Sequence, residues 1–420
     1  MIIITLITGL SLITGYFFGD KVKSLVINEI SNQLNVPVNV KKVSFSLLKR
    51  FPNAAIIMED VFAGPSNGFD NSLFTDYDTD TLLAVKNLQL EFNVLDIYRG
   101  KFILRKIRLV DGKVRLFKGK DDNTNFKILK NKKDSAASGL VLELQKVSFE
   151  DIDFIYSDNE NNIALRTYAR DIELNGSFTG NDYFLKIKSG MLPGYFYYKG
   201  DNLWTSGKIK TNFNLEVKND VCKIKDGILS FENQNFNISI IYNAGKNGFS
   251  DITINGDNID IHSIIKNLPV LYSRHFEPYE INGNLNFNSS ITGKTGVKNP
   301  FHIKSDFTIS GASVFIKNKK IKIKVLKLKG SYSSGKDKTS DSSELVFTEI
   351  QLKTGNNTSL AGSGKIVNLN SPVISINADA VILLNDLPDL FGHGIIKEAE
   401  GNAMVSCNLS CKTANQGDSY

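Results

Sequence analysis

The residues able to do chemistry are few and scattered. Three cysteines, Cys222, Cys407 and Cys411, cannot build a disulfide framework, and the odd count leaves at least one thiol free. Cys407 and Cys411 stand in C-x3-C spacing without a second Cys or His pair nearby. The histidines His262, His275, His302 and His393 are dispersed, whereas a zinc site needs about four converging ligands. Asp76, Asp78 and Asp80 imitate the start of a calcium loop, but Thr81 stands where the loop needs Gly and Asn87 where it needs Glu. Glu150, Asp151 and Asp153 could pair as acid and base, yet on a strand alternate residues point to opposite faces and a solvated edge accounts for them. No Gly-rich phosphate loop, G-x-S-x-G or H-E-x-x-H occurs. The expectation is a non-enzyme with no catalytic residues, no metal site and no cofactor. Tyr195, Phe196, Tyr197, Tyr198 and Trp204 could touch lipid or glycan, or fill a buried hairpin.

Composition narrows the class. At 420 residues the chain can hold two or three domains or one elongated one, and 41% hydrophobic with 22% charged residues is normal for a folded protein. The net charge of +6, from 50 basic and 44 acidic residues, is too mild and too dispersed for a nucleic-acid binder. It is compatible with lying near anionic lipid head groups.

Residues 2–18 form an apolar run with no charge before Asp20. At about 1.5 Å per residue it reaches about 26 Å, close to the hydrocarbon thickness of a bilayer. A transmembrane signal anchor is expected over residues 1–19. A cleaved signal peptide is the competing reading, but no small-x-small cleavage pattern follows the run. Lys21 and Lys23 bias the flanking charge weakly toward a cytoplasmic C-terminal side. Val22, Leu25, Val26, Ile30 and Leu34 then recur at helical spacing, predicting an amphipathic helix over residues 20–36 that Pro37 ends.

From Val38 the dominant period is two. Leu88, Leu90, Phe92 and Val94 alternate with polar residues, as do Ile209, Phe213, Leu215 and Val217. Leu285, Phe287 and Ile291 face asparagines, and Phe301, Ile303, Phe307 and Ile309 face His302, Lys304 and Asp306. Such one-sided strands predict antiparallel sheet with one wetted face. Loops are expected at Gly64 to Asp80, Asp121 to Gly139 and Gly335 to Ser343. In Lys317 to Lys329, Ile321, Ile323 and Val325 share one phase and Leu326 and Leu328 the other, which predicts a bulge near Val325. Its lysines could meet head groups or simply solvate a strand face.

A repeat is visible. Asp257 to Lys294 and Asp379 to Lys412 each read as a strand, a short helix ending at Leu-Pro, a connector and a new strand after Gly283-Asn284 or Gly401-Asn402. Repeats built from strands bury little alone, so neighbours must stack and extend one sheet. The expected organisation is an N-terminal β region over 37–139, repeats over 140–282 and 283–400, and the start of a further, truncated repeat at 401–420.

The order of these features resembles the AsmA-like proteins of Gram-negative envelopes. The residues that carry the likeness are the anchor, the Val-Pro-Val helix end, Val43-Ser-Phe-Ser-Leu-Leu-Lys-Arg-Phe-Pro-Asn-Ala and Ile56-Ile-Met-Glu-Asp-Val. They continue with Val94-Leu-Asp-Ile-Tyr-Arg-Gly-Lys-Phe-Ile-Leu-Arg-Lys-Ile, the turn Asp121-Asp-Asn-Thr-Asn-Phe and the Leu-Pro repeats. The departures are the missing N-terminal Lys/Arg and the early C-terminus. The resemblance implies a long, twisted antiparallel sheet curled into an apolar groove, similar to the chorein-type bridge-like lipid-transfer proteins. It implies residence in the periplasm on a single inner-membrane anchor, with phospholipid as ligand, moved between inner and outer membranes. The apolar strand residues Leu88, Leu90, Phe92, Val94, Ile209, Phe213, Leu215, Val217, Leu285, Phe287, Ile291, Phe301, Ile303, Phe307 and Ile309 would then line the groove. The alternative is a structural or assembly factor for outer-membrane proteins with the apolar face closed as a sandwich core, a fold that produces the same one-sided strands.

Overall fold

A computed structural model describes residues 34–47, 52–93, 95–96, 99, 101–121, 123–128, 130, 140–177, 182–204, 207–219, 221–243, 248–294, 301–318, 321–354, 358–387 and 400–412. The protein is mainly β. Its strands are β1 (Val38–Leu47), β2 (Asn53–Ala63), β3 (Leu83–Asn93), β4 (Phe102–Lys118), β5 (Leu140–Asp158), β6 (Ile163–Ser177), β7 (Tyr183–Tyr198), β8 (Asp201–Asn202) and β9 (Ile209–Lys218). They continue as β10 (Val221–Phe231), β11 (Gln234–Asn243), β12 (Phe249–Asp260), β13 (Tyr279–Lys294), β14 (Phe301–Ile316), β15 (Ile321–Ser333), β16 (Glu344–Thr354), β17 (Ser359–Val367), β18 (Val373–Leu383) and β19 (Asn402–Lys412). Helix is scarce among the described residues: α1 (Ile261–Lys266), α2 (Val270–Ser273) and the 3-10 turns Arg274–Phe276 and Leu384–Asp386.

No helix among the described residues is long and apolar enough to cross a membrane. The anchor expected over 1–19 lies outside the described residues, as do residues 20–33 of the expected amphipathic helix. The last residues of that helix are described, and they are not helical. Leu34 forms a β-bridge, the Asn35 N–H donates to the Ile128 carbonyl at 2.8 Å, and Val36 is buried in a small cluster with Ala63 and Leu82. Burial of Val36 against β2 draws this stretch into the β structure.

The chain divides into two compact units, Met1–Asn219 and Asp220–Tyr420. In the first, β1 to β7 are neighbours in chain order, β9 follows β7, and the short β8 pairs with the end of β7. Every pair is antiparallel except β4–β5, which is parallel. An all-antiparallel sheet was the expectation. The connection over residues 119–139 explains the exception, because it is long enough to return the chain to the starting end.

A crease crosses this sheet. Lys41, Asp60, Lys86, Asp111, Asp151 and Arg170 stand opposite one another on β1 to β6, and each drops out of the ladder while the pairs on either side keep register. Asp60, Asp111 and Asp151 are left-handed, with φ of 51°, 55° and 54°, a conformation Asp tolerates better than most residues. The inward phase therefore shifts by three residues instead of two: Val40 to Val43, Met58 to Val61, Val85 to Leu88, Phe149 to Ile152 and Ala169 to Ile172. All ten belong to one hydrophobic cluster. The seam is charge-balanced, with Lys41 3.2 Å from Asp60 and Lys86 paired to Asp111. Left-handed residues break the extended run of a strand, so the aligned interruptions mark one crease line across β1 to β6.

On the outer side of β4, residues 64–81 form a cap. Phe69, Phe74 and Tyr77 pack on Phe117, with ring centroids 6.4, 5.1 and 5.4 Å away. Asn125, fully buried, ties the cap to the sheet. Its Oδ1 accepts from the Phe117 N–H at 2.8 Å, its Nδ2 donates to the Arg115 carbonyl at 2.9 Å, and the Ser66 hydroxyl donates to the Thr124 carbonyl at 2.6 Å.

In the second unit β10 to β19 are neighbours in chain order and every pair is antiparallel. Among the described residues no pairing joins the first strand of either unit to its last, so neither unit closes into a barrel. The two segments read as copies in the sequence each carry a short helical turn between strands. α1, capped by Asp260, whose carboxylate accepts from the His262 N–H, connects β12 to β13, and the 3-10 turn at Leu384–Asp386 follows β18 before β19. β13 starts at Tyr279, so the expected boundary at residue 283 falls inside a strand. The bulge read from the lysine-rich segment lies between Ile323 and Val325.

Candidate functional site

Glu150, Asp153 and Asp78 of the first unit are occupied by basic partners, whereas the Asp151 carboxylate accepts from the Tyr168 hydroxyl at 2.8 Å. Arg108 holds Glu150 through two hydrogen bonds of 2.8 and 2.6 Å, and that contact keeps the Glu150 carboxyl below its usual range. Burial pushes Asp153 upward, but hydrogen bonds from Arg166 and Arg115 outweigh it and hold the group low. Asp78 is lowered chiefly by Lys113, 2.6 Å away, and accepts from the Thr81 hydroxyl at 3.1 Å. Arg108–Glu150, Arg115–Asp153 and Arg166–Asp153 are cross-strand ion pairs, and Lys113–Asp78 ties the cap to β4. Among the described residues no three His, Cys, Asp or Glu side chains converge on a metal-sized site. Cys222 is half-buried, which raises its thiol pKa, and Cys407 and Cys411 are exposed on β19 opposite Ala378 and Ile374.

The aromatic run Tyr195–Tyr198 ends a hairpin. Tyr198 pairs with Asp201 across Lys199 and Gly200, both at positive φ. Tyr197 and Tyr198 are exposed, while Tyr195 packs on Tyr197 at 5.4 Å.

The apolar strand residues share one face of each set of strands. In the first unit Leu88 and Leu90 stand opposite Met58 and Ile56 of β2 and opposite Leu109 and Ile107 of β4. Leu90 and Phe92 are 5% and 2% exposed, so they belong to a closed core rather than an open surface. Val94 lies outside the described residues. On β9, Ile209, Phe213, Leu215 and Val217 are half-buried and face Met191, Ile187, Leu185 and Tyr183 of β7.

In the second unit Leu285 faces Ile309, Phe287 faces Phe307 and Ile291 faces Ile303, which puts all six on one side of β13 and β14. Phe301, opposite Gly293, is on the same side and 38% exposed. The row through Phe287 and Phe307 extends further than sequence reading found. Phe236, Gly256, Phe287, Phe307, Gly330, Phe347 and Gly364 are successive cross-strand neighbours from β11 to β17. Phe236 lies 6.2 Å from Phe287, and Phe307 meets Phe347 edge-on at 6.0 Å. Phe236 and Phe347 both belong to alternating runs that could have been read as strands, but which residue faces which depends on register between distant segments.

Coverage separates the two units. In the second, the fully buried hydrophobic residues among those described are Ile259, Ala312 and Ala378. Phe236, Phe287, Phe307 and Phe347, with Leu285, Ile309, Leu328 and Ile350, are only half-buried. Strand neighbours shield their flanks and leave their outer surfaces accessible. A sheet packed at about 10 Å on a second layer would bury such residues. The opposite side of the same strands is polar, with Asn237, Asn255, Asn288 and Asp306 in one cross-strand row. No family model, curated protein or solved structure gives a significant match to this chain.

Proposed function

We propose that this chain is a membrane-anchored envelope protein of AsmA-like type that binds acyl lipid on an apolar β surface and passes it between inner and outer membranes. The observation that carries the reading is the half-exposed row of Phe and branched aliphatic side chains on one face of the second unit, backed by a polar opposite face. Acyl chains need an apolar surface shielded from water, and each buried CH₂ contributes about 0.8 kcal/mol. A face of Phe, Ile and Leu with few polar atoms supplies that burial without orienting chemistry, which suits a conduit in which ligand must also leave. A row of apolar side chains left half-exposed on one face suits a binding surface. The groove, the anchor over residues 2–18 and periplasmic residence belong to this proposal.

The closed cluster around Ile56, Phe92 and Ile152 in the first unit favours a second role there, as a structural base that holds the surface near the membrane or contacts outer-membrane proteins. The test is photo-crosslinking in the full chain. A benzophenone amino acid at Phe287 or Phe307 is expected to label phospholipid, and the same group at Asn286, on the polar side, is not. Equal labelling from both sides, or none, rules the lipid surface out and leaves the scaffold role.

A further inference from the structure

The apolar faces are interrupted by paired hydroxyls. In the second unit Ser289 and Ser305 stand opposite each other on β13 and β14, with their Oγ atoms 2.7 Å apart. They sit between the Phe287–Phe307 pair on one side and the Ile291–Ile303 pair on the other. Tyr332 of β15 is the next residue in the row, opposite Ser305. In the first unit Ser189 of β7 and Thr211 of β9 repeat the arrangement, also opposite each other and 2.6 Å apart. Their flanks are Ile187 with Phe213 and Met191 with Ile209.

A hydroxyl carries one donor and two acceptor lone pairs. In a pair of hydroxyls one donates to the other, which leaves one O–H without an acceptor. Neither Ser289, Ser305 nor Tyr332 makes a further side-chain hydrogen bond among the described residues. An unpaired donor is costly once water is displaced from it. An acyl chain laid on these faces displaces that water, so the chain must bring an acceptor oxygen of its own at this level. We infer that Ser289, Ser305 and Tyr332 form a polar station that receives the ester carbonyl of an acyl glycerolipid, with Ser189 and Thr211 as the equivalent station of the first unit. The inference rests on the lipid reading above and adds to it a selection for ester-linked over purely hydrocarbon or ether-linked ligands. The hydroxyls hold the carbonyl by hydrogen bonding alone, and no bond is made or broken.

The test compares the unaltered chain with Ser189→Ala/Thr211→Val/Ser289→Ala/Ser305→Ala, which removes both hydroxyl pairs, and with the same variant carrying Tyr332→Phe. Three probes are used: fluorescent diester phosphatidylcholine, its diether analogue and an alkyl-pyrene hydrocarbon. Replacing both members of a hydroxyl pair leaves no orphaned partner, and the thermal melts of the variants check that the fold is kept. The wild-type protein is expected to bind the diester about threefold to tenfold more tightly than the diether, the range one hydrogen bond supplies. The variants are expected to lose that preference while binding the hydrocarbon as before. A wild-type protein without preference, or variants that keep it, overturns the station and leaves the lipid surface standing. Failure of all three probes to bind the wild-type protein overturns the lipid reading and the station together.

Discussion

Phe287 lies across the backbone of Gly256 on the neighbouring strand: a Cβ built at Gly256 would come 2.5 Å from Phe287 Cε1. The glycine lets the ring lie flat on the sheet, and Gly330 does the same for Phe307, whose Cζ would be 2.9 Å from an added Cβ. Rings that lie down make a smooth apolar face, whereas rings forced upright would present ridges.

Gly256→Ala therefore has two expected effects. Crowding of the ring destabilises the protein by about 1–3 kcal/mol, the usual cost of overpacking, and the Phe287 side chain becomes more exposed. Urea melts read the first, and the solvent-induced shift of a fluorinated Phe287 in fluorine NMR reads the second. Phe287→Leu in the Gly256→Ala background should recover part of the stability, because the shorter side chain clears the new methyl while Ile259 Cγ1, 2.8 Å from it, still crowds it. Failure of that rescue would disprove the ring-on-glycine contact.

Asp111 tests the crease. Asp111→Gly keeps the left-handed conformation and loses only the ion pair with Lys86, a contact between side chains 51% and 68% exposed. It should cost under about 1 kcal/mol, as exposed pairs do. Asp111→Val loses the ion pair and also strains the backbone, since a β-branched residue is a poor fit at φ 55°. It should cost about 1–2 kcal/mol more than the glycine variant. Equal stability of the two variants in denaturant would mean that the crease does not depend on the left-handed residue.

Asn125 anchors the cap over β4. In Asn125→Ala the Phe117 N–H and the Arg115 carbonyl lose their side-chain partners inside the protein, at an expected cost of about 2–4 kcal/mol. Asn125→Asp should be nearly as damaging, because it replaces the donor facing Arg115 by an acceptor. Faster hydrogen exchange confined to residues 64–81 and 114–126 would confirm that the cap loosens locally.

How far these features can be read from the chain depends on the range of the interactions. Alternation identifies strands at Leu88–Phe92, Ile209–Val217 and Phe301–Ile309, because the in–out pattern of a strand is local. The bulge near Val325 is legible for the same reason, from the phase change between Val325 and Leu326. The crease is partly hidden: each three-residue step looks like a defect in one strand, and only the alignment of Asp60, Asp111 and Asp151 across neighbours makes it a feature. The parallel β4–β5 pair depends on where the connection over residues 119–139 returns the chain. The Phe–Gly row and the Ser289–Ser305 pair depend on register between segments up to tens of residues apart. Leu90 and Phe92 alternate as cleanly as Phe287 and Phe307, yet the first two are enclosed and the second two are not, since coverage is a property of the whole unit rather than of a strand.

Tyr195 supplies a pH test of the outer cap. Its hydroxyl is pushed up to about 12, by burial first and then by the adjacent Tyr77, against about 10 for a tyrosine in an unfolded chain. The folded state thus favours the neutral phenol. Its contribution is fully present below about pH 10 and is lost as pH rises toward about 12, because the unfolded chain releases its proton first. Stability should therefore fall more steeply between about pH 10 and 12 in the wild-type protein than in Tyr195→Phe, which has no proton to lose there. Burial and a hydrogen bond to Asp158 also raise Tyr156, and a hydrogen bond to Asp151 raises Tyr168, so absorbance at the tyrosinate band should show one fewer late-titrating phenol in the variant than in the wild type. A wild-type titration in which every tyrosine ionises near 10 would mean that water reaches Tyr195, and that the cap of residues 64–81 does not close over the sheet.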